Sequence, residues 1–276
     1  MGMLDGKVAF ITGAARGQGR SHAVRLAEEG ADIIGIDLCA QPATVSVPGA
    51  TPEDLDETVG LVEKAGRRMV AQIGDVRDVE FLAAAARAGV AELGRLDIVA
   101  ANAGIWAVGE EEPSTLADRQ RVWKESVDVD LTGVFNTLEA TVPILVEAGR
   151  GGAIVITSST AGLKSMAINS LAQTAYTAAK HGVVGLMRNY ANNLAAHSIR
   201  VNVVLPTGVR TPMALTEAMG GWMASQPGLF DMSNLLPVDL VEPEDVAAAV
   251  AWLVSDDARY ITGVQLPVYA GFLNKR

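Results

Sequence analysis

Short apolar runs alternate with longer segments of helical period along the whole chain. The runs are rich in Val, Ile and Ala and lack a regular apolar–polar alternation, which is typical of strands buried on both faces. This pattern predicts strands at 7–12, 32–37, 69–73, 96–101, 153–157, 200–205 and 263–268. It predicts a first helix that ends near 29 and further helices near 53–65, 78–93, 117–147, 172–196 and 243–254.

The order of these elements indicates the fold class. Strands that alternate with helices imply right-handed crossovers and a parallel sheet with helices on both faces. No linker or repeat interrupts the pattern, so we expect a single α/β domain over 1–276, a doubly wound, Rossmann-like parallel sheet of about seven strands. An insert at 39–51 and a segment at 206–240 exceed the usual loops of roughly two to six residues. Both follow strands, whose carboxyl ends bind ligands in open α/β sheets.

A glycine-rich turn, TGAARGQG at 12–19, joins the first predicted strand to the first predicted helix. Glycine tolerates positive φ and lets a pyrophosphate approach the backbone, and the N–H groups at a helix start attract anions. The turn therefore predicts a dinucleotide site, although such a turn can also be only a turn. The candidate cofactor-binding residues in it are Gly13, Arg16, Gly17, Gln18 and Gly19.

Asp37 ends the second predicted strand, 18 residues after Gly19, and Leu38 follows it. A carboxylate at this place can accept hydrogen bonds from the ribose hydroxyls and would repel a 2′-phosphate, which favours NAD over NADP. Arg16 argues in the opposite direction, because a cation in the turn could pair with that phosphate. A strand-end Asp that only caps the backbone is the simpler alternative.

Tyr176 and Lys180 are four residues apart on a predicted helix and therefore share one face. A phenol with an ordinary pKa near 10 is too weak an acid to serve as a base at neutral pH. We expect the neighbouring ammonium, together with an oxidised nicotinamide, to lower the Tyr176 pKa. The pair thus predicts general acid–base chemistry beside the dinucleotide site.

These motifs and several others together resemble the short-chain dehydrogenase/reductase family over nearly the whole chain. The resemblance rests on 12–19, Asp75-Val76, Asn102-Ala103-Gly104, Ser158-Ser159, YTAAK at 176–180 and the segment 206–213. It implies that Ser159 and Tyr176 flank the reacting oxygen and that Lys180 binds the nicotinamide ribose while tuning Tyr176. Ser159 is preferred because it precedes Thr160-Ala161-Gly162 as an SxxG pattern requires, and Ser158 is the alternative.

The same resemblance implies further cofactor contacts. Asp75 and Val76 would contact the adenine, and the Asn-Ala-Gly turn would line the cofactor. Thr211 would hold the nicotinamide carboxamide, or else would cap a helix before Pro212. The full set of implied cofactor residues beyond the glycine turn and the Asp37-Leu38 pair is Asp75, Val76, Asn102, Ala103, Gly104, Tyr176, Lys180, Pro206, Gly208, Val209, Thr211 and Met213.

Two positions depart from the family pattern. The usual active-site Asn, which helps to order a water beside the Lys, is Asp130 here. Asp130 can still accept hydrogen bonds and is a candidate catalytic residue, but its charge could hold the Lys180 ammonium away from Tyr176. Near the carboxyl end, Tyr269 replaces a usual Asp, a change that concerns packing or subunit contacts more than catalysis.

Longer stretches are similar to the carveol-dehydrogenase-like, mycofactocin-associated branch of the family. They are GAARGQGRSHA at 13–23, ATPEDLDETV at 50–59, AKHGVVGLMR at 179–188 and PTGVRTPM at 206–213. This likeness implies a tightly bound NAD that a mycofactocin-type redox carrier turns over in place. The Pro-containing insert 39–51 could slow cofactor release by covering the adenosine end, or could be an inert surface loop. The family likeness also implies a homotetramer built through the helices near 117–147 and 172–196.

The segment 206–240 is rich in apolar residues and carries four of the nine methionines, whose flexible thioethers suit adaptable pockets. Together with Ser159, the candidate substrate-pocket residues are Trp222, Met223 and Phe230. The expected substrate is a hydrophobic secondary alcohol or its ketone, such as the cyclic terpenoid carveol. A segment that packs against another subunit is the alternative.

Composition narrows the functional classes further. The 22 Lys and Arg against 32 Asp and Glu give a net charge of −10, which disfavours nucleic acid and anionic membrane surfaces as partners. One Cys and three His without metal-ligand spacing give no metal site. We expect a cytoplasmic enzyme with no membrane span. A non-catalytic NAD-binding regulator and an NADPH-dependent ketoacyl or steroid ketone reductase remain as alternatives.

Overall fold

The computed structural model describes residues 2–107, 112–165, 170–216, 220–221 and 234–274. In these residues seven strands form one sheet in the order β3-β2-β1-β4-β5-β6-β7, and every neighbouring pair is parallel. The strands are β1 (Val8–Thr12), β2 (Asp32–Asp37), β3 (Met69–Ile73), β4 (Ile98–Ala101), β5 (Gly152–Thr157), β6 (Ile199–Pro206) and β7 (Gln265–Val268). The predicted fold class is confirmed.

The helices pack on both faces of the sheet. They are α1 (Gly17–Glu28), α2 (Pro52–Lys64), α3 (Val79–Leu93), α4 (Leu116–Val127), α5 (Gly133–Ala148), α6 (Leu171–Leu194) and α7 (Pro243–Val254). One core cluster lies between the sheet and α3, α5 and α6, and the other lies between the sheet and α1, α2 and α7. Both faces are therefore covered, which explains the uninterrupted apolar runs of the strands.

The helix after the insert begins where the sequence signals place it. The Thr51 side chain accepts a hydrogen bond from the Asp54 amide, and the Asp54 carboxylate accepts one from the Thr51 amide. This reciprocal capping box satisfies amides that the first helical turn leaves without partners. Pro52 occupies the first helical position, where its missing N–H costs nothing. The far end of the insert is thus fixed to a rigid element.

The single long helix predicted near 117–147 is wrong in one respect. A π-helical turn, Asp128–Thr132, separates α4 from α5. Such a turn holds one extra residue and changes the direction of the side chains that follow, and no residue pattern announces it. Its effect here is to bury Asp130 completely, at 0% exposure. Across Leu116–Ala148 the mean hydropathy of one window reaches 1.3, and 56% of that window is buried inside the protein, as in a core helix.

The strand order reverses between β1 and β4, because β2 and β3 lie on one side of β1 while β5, β6 and β7 lie beyond β4. Crossovers leave in opposite directions at this point, so a crevice opens at the carboxyl ends of the strands. The glycine turn follows β1 and Asn102 follows β4, so both stand at the crevice.

Candidate active site

The glycine turn has the backbone that its composition predicts. Gly13 and Gly17 have φ of +70° and +56°, a region that side chains disfavour. A Cβ at Gly19 would lie 1.8 Å from the Gly13 carbonyl oxygen, so the start of α1 can pack onto β1 only with glycine there. The turn and the first turn of α1 together form one wall of a cavity of about 1170 Å³.

Most of the candidate cofactor residues meet around this cavity. The turn contributes Gly13, Arg16, Gly17, Gln18 and Gly19, and the strand ends contribute Asp37, Leu38, Asp75, Val76, Asn102, Ala103 and Gly104. Thr211 and Met213 also line it. A cavity lined by a glycine-rich helix start and a strand-end carboxylate fits a dinucleotide.

Three candidates from the segment after β6 do not line the cavity. Pro206 is buried at the end of β6, and Val209 is buried where it forms an isolated bridge with Val241. A Cβ at Gly208 would lie 2.7 Å from a Leu240 side-chain carbon. These three residues fix the position of the chain behind Thr211, which faces the cavity and is followed by a turn rather than by a capped helix.

Asp37 and Arg16 have different roles in the structure. The Asp37 carboxylate accepts hydrogen bonds from the amides of Ala15, at 2.9 Å, and Cys39, at 3.1 Å, while still lining the cavity. The Arg16 guanidinium turns to the insert instead, where it donates to the carbonyls of Pro48 and Gly49. The cation of the turn is therefore engaged by the insert.

Asn102 joins three strand ends. Its side-chain amide donates to the Thr12 carbonyl at 3.1 Å, and its carbonyl oxygen accepts from the Thr157 hydroxyl at 3.2 Å. His22, which the sequence alone did not connect with the site, is completely buried in α1. Burial lowers the His22 pKa to about 4, so the ring is neutral at physiological pH. No cluster of possible metal ligands occurs within the described part of the chain.

The catalytic candidates meet at the start of α6. The Lys180 ammonium is 5.4 Å from the centre of the Tyr176 ring, is 3% exposed, and donates to the Thr157 carbonyl at 3.3 Å. Ser159 lies close enough to Tyr176 for its side chain to lower the Tyr176 pKa. The structure thus brings Tyr176, Ser159 and Lys180 together.

The structure distinguishes the two neighbouring serines. The Ser158 hydroxyl is buried and donates to the Lys180 backbone carbonyl at 2.8 Å. A Cβ at Gly162 would lie 2.3 Å from the Ser158 oxygen, so the glycine of the SxxG pattern makes room for this contact. Ser158 therefore holds α6 against β5, and Ser159 is the serine beside the tyrosine.

The Tyr176 pKa reflects burial as well as the nearby charges. Burial raises the pKa of Tyr176 above its usual value, and the nearby charge of Asp130 raises it further. Lys180 and Ser159 lower it, but in the protein alone they do not outweigh burial. The lowering by Lys180 is present, and the net lowering expected with an oxidised nicotinamide stays a prediction.

Asp130 does not pull Lys180 away from Tyr176. One carboxylate oxygen, Oδ1, accepts the Ile105 amide at 2.7 Å and lies 4.0 Å from the Lys180 nitrogen. An amide oxygen of the usual Asn could make the first of these contacts equally well. Asp130 therefore holds the Ile105 backbone as the family's Asn could, and it adds a buried negative charge.

Trp106 is a site residue that the motifs do not indicate. It lies two residues after the Asn102–Gly104 turn, lines the cavity, and its ring centre is 5.9 Å from that of Tyr176 with planes inclined by 35°. The hydrogen bond from the Ile105 amide to Asp130 fixes the backbone next to it. A large aromatic residue shortly after a turn that is implied to line the cofactor is a signal that could have found it.

The insert forms part of the cavity wall. Its residues Ala40, Pro42, Val45, Val47, Gly49 and Ala50 line the cavity together with Asp37. The buried carboxylate of Glu125 accepts hydrogen bonds from the Ala43 amide at 3.1 Å, the Thr44 amide at 2.7 Å and the Thr44 hydroxyl at 2.5 Å. Glu125 on α4 and Arg16 on the glycine turn thus hold the insert from two sides. The sequence gives no sign of Glu125, because 81 residues separate it from Thr44.

The candidate substrate residues Trp222, Met223 and Phe230 lie outside the described residues. Their role stays a prediction. Among the described residues, Trp106 and Met213 line the cavity, and Trp106 also contacts Tyr176.

Comparison with known proteins identifies the class. A profile of the short chain dehydrogenase family matches residues 7–219. The (−)-trans-carveol dehydrogenase of Rhodococcus erythropolis is 47% identical over 283 residues, covering 98% of this chain and 99% of that protein. Carveol dehydrogenase from Mycobacterium avium, solved in complex with NAD, superposes with a TM-score of 0.91 at 48% identity over 100% of both chains.

A second solved structure, a short chain dehydrogenase from Mycobacterium paratuberculosis bound to NAD, has a TM-score of 0.90 and 46% identity. The alignment covers 99% of this chain and 100% of that chain. The chain belongs to the short-chain dehydrogenase family, and it is an oxidoreductase. The resemblance found in its motifs is confirmed.

Proposed function

We propose that this enzyme uses NAD to interconvert a hydrophobic secondary alcohol and its ketone, with a cyclic terpenoid such as carveol as the model substrate. The observation that carries the proposal is the contiguous group of Ser159, Tyr176 and Lys180 beside the apolar ring of Trp106. An acid–base group against an apolar wall suits an uncharged alcohol with a ring or chain on its carbinol carbon.

The cofactor is NAD. When bound, NAD supplies the two-electron acceptor for the carbinol carbon, and the glycine turn and Asp37 hold its phosphates and adenosine ribose. The Asp37 carboxylate would repel a 2′-phosphate, and Arg16, the cation that could offset this, is engaged by the insert. NADP and the NADPH-dependent ketone reductases are therefore disfavoured, and a comparison of turnover with the two nucleotides tests this preference.

The chain's own residues move the proton. In oxidation Tyr176 as phenolate accepts the hydroxyl proton of the alcohol, and in reduction the phenol returns it to the carbonyl oxygen. The Ser159 hydroxyl donates a hydrogen bond to that oxygen as its charge changes. Lys180, held by the Thr157 carbonyl, stabilises the phenolate, which burial alone disfavours. A cationic nicotinamide would also stabilise the phenolate.

Replacement of Tyr176 tests the enzyme against a non-catalytic regulator. Tyr176→Phe removes the acid–base oxygen but keeps the ring that contacts Trp106. We expect kcat to fall by about 10²–10⁴ while NAD binding, measured by calorimetry, is unchanged. A variant that retains its activity would refute this assignment.

We also propose that the enzyme retains NAD between turnovers and passes electrons to a second carrier of the mycofactocin type. The hydrogen bonds of Glu125 and Arg16 to the insert support this, because NAD could leave only after they break. Dialysis of the purified protein, followed by denaturation and identification of any released nucleotide, tests retention. Free NADH production without an added carrier would contradict in-place turnover.

Assembly as a homotetramer in the cytoplasm completes the proposal. Trp123 on α4 and Phe135 on α5 are 42% and 41% exposed, so large apolar groups on the long helices are available for subunit contacts. Light scattering after size-exclusion chromatography gives the subunit number directly.

A further inference from the structure

The π-helical turn places a carboxylate where it faces the catalytic lysine. Asp130 is fully buried, its Oδ1 atom is 4.0 Å from the Lys180 nitrogen, and its Oδ2 atom has no hydrogen-bond partner within the described residues. An Asn at this position could accept the same Ile105 amide and carry no charge. Positioning of the loop after β4 therefore does not require an acid.

We propose that Asp130 is a positioning residue that acts through Lys180 and sets the acidity of Tyr176. Its negative charge offsets part of the Lys180 charge, so Tyr176 holds its proton more firmly than it would beside Lys180 alone. This inference deepens the proposed alcohol oxidation and ketone reduction, and it rests on Tyr176 being the acid–base group. Its consequence is that Asp130 shifts the pH range of both directions of the reaction upward.

The surroundings of Asp130 leave few other charges to consider. Lys180 and Tyr176 face it from α6, and the loop after β4 contributes only the Ile105 amide. On its own turn, Asp128 lies on the exposed side, where it pairs with Lys124. The charge balance at Tyr176 thus depends on Lys180 and Asp130.

The ionisation of Asp130 supports this arrangement. Burial raises the Asp130 pKa to about 6, while Lys180 and the Ile105 amide oppose the rise. Asp130 is therefore charged above about pH 6, which includes neutral pH, and it raises the Tyr176 pKa there. A charge at several ångströms in an environment of effective dielectric near 20 shifts a pKa by about one unit.

The test is a difference titration of tyrosinate absorbance on the purified holoenzyme. Only four tyrosines are present, and subtracting the curve of the Tyr176→Phe variant isolates Tyr176. We expect Asp130→Asn to lower the pH midpoint of Tyr176 ionisation by about one unit. The pH at which the rate of alcohol oxidation rises should fall by the same amount. Asp128→Asn, on the exposed side of the same turn, is the matched control and should leave both curves in place.

An unchanged midpoint in Asp130→Asn would overturn the proposal, and so would an upward shift. The titration needs no substrate, so it stays informative if the substrate assignment is wrong, and only the pH profile would then be lost. Asp130→Ser is the second variant if Asp130→Asn does not fold, and it should give the same downward shift. A fall in activity without any shift would assign Asp130 a purely structural role.

Discussion

At the scale of single residues, one aromatic ring, Trp106, is placed to form a wall for the proposed substrate. Trp106 packs against Tyr176 with ring centres 5.9 Å apart and planes inclined by 35°. Trp106 also lines the cavity, so we expect a ring on the substrate's carbinol carbon to pack against it beside the acid–base group. An aromatic contact of this kind is worth about 0.5–1.5 kcal/mol beyond simple burial.

Replacement of Trp106 should therefore affect cyclic substrates selectively. For Trp106→Ala we expect the KM for a cyclic terpenoid alcohol to rise about tenfold, because the buried ring contact is lost. The KM for a small acyclic secondary alcohol should change much less. Steady-state kinetics with both alcohols measure the difference, and Trp252→Ala, an exposed Trp on α7, is the control. An equal rise in KM for both substrates would show that Trp106 does not contact the ring of the cyclic substrate.

At the scale of elements, the insert 39–51 behaves as a strap, because residues from different parts of the fold hold it in place. Its carboxyl end continues into the capping box of α2, and its middle is held by Glu125 on α4. Glu125 is also 3.6 Å from the Arg77 guanidinium, which pairs with Asp75, a residue that lines the cavity. The strap and the part of the wall where we expect the adenine to bind therefore share one buried carboxylate.

Weakening this carboxylate should speed cofactor release. Glu125→Gln places an amide nitrogen against the Ala43 or Thr44 amides and removes charge from at least two hydrogen bonds, each worth about 1.5–3 kcal/mol. We expect NAD to dissociate about tenfold faster or more, measured by exchange of bound NAD for labelled NAD. Glu147→Gln, exposed at the end of α5, should exchange at the original rate. An unchanged rate in Glu125→Gln would show that the strap does not limit release.

At the scale of the whole molecule, two buried groups, His22 and Asp130, make the free energy of unfolding change with pH in opposite directions. The His22 pKa is lowered from 6.5 to about 4, so its contribution to stability is complete above pH 6.5 and is lost as the pH falls toward 4. The Asp130 pKa is raised from 3.8 to about 6, so its contribution is complete below pH 3.8 and is lost as the pH rises through 6. Near pH 5 the pH dependences that the two groups give to the free energy of unfolding are opposite in sign and largely cancel.

Replacing either group should reveal how the other one makes the free energy of unfolding depend on pH. In Asp130→Asn the free energy of unfolding should fall on acidification by about 1.4 kcal/mol per pH unit more than in the parent near pH 5. In His22→Asn it should rise on acidification by a similar amount relative to the parent. Urea unfolding of the three proteins between pH 4.5 and 6 measures these differences. Parallel curves would mean that neither group is perturbed in the folded protein.

The sequence by itself determined the parallel α/β fold, the glycine turn, the Tyr176–Lys180 face and the strand-end Asp37, because each of these depends on residues close together in the chain. Periodicity, glycine placement and helical spacing are local signals, and they do not need the rest of the molecule. The resemblance also implies cofactor contacts for Pro206, Gly208, Val209, Thr211 and Met213, yet of these five only Thr211 and Met213 line the cavity.

The tertiary structure alone decided the contacts of the insert, the role of Trp106 and the position of Asp130. Glu125 meets Thr44 across 81 residues, and Trp106 meets Tyr176 from a different strand end, so no local pattern joins them. The burial that raises the Tyr176 pKa is likewise a property of the folded interior, where lost hydration competes with nearby charge. Short-range chemistry is written in the chain, whereas the balance between desolvation and charge exists only after folding has placed distant residues together.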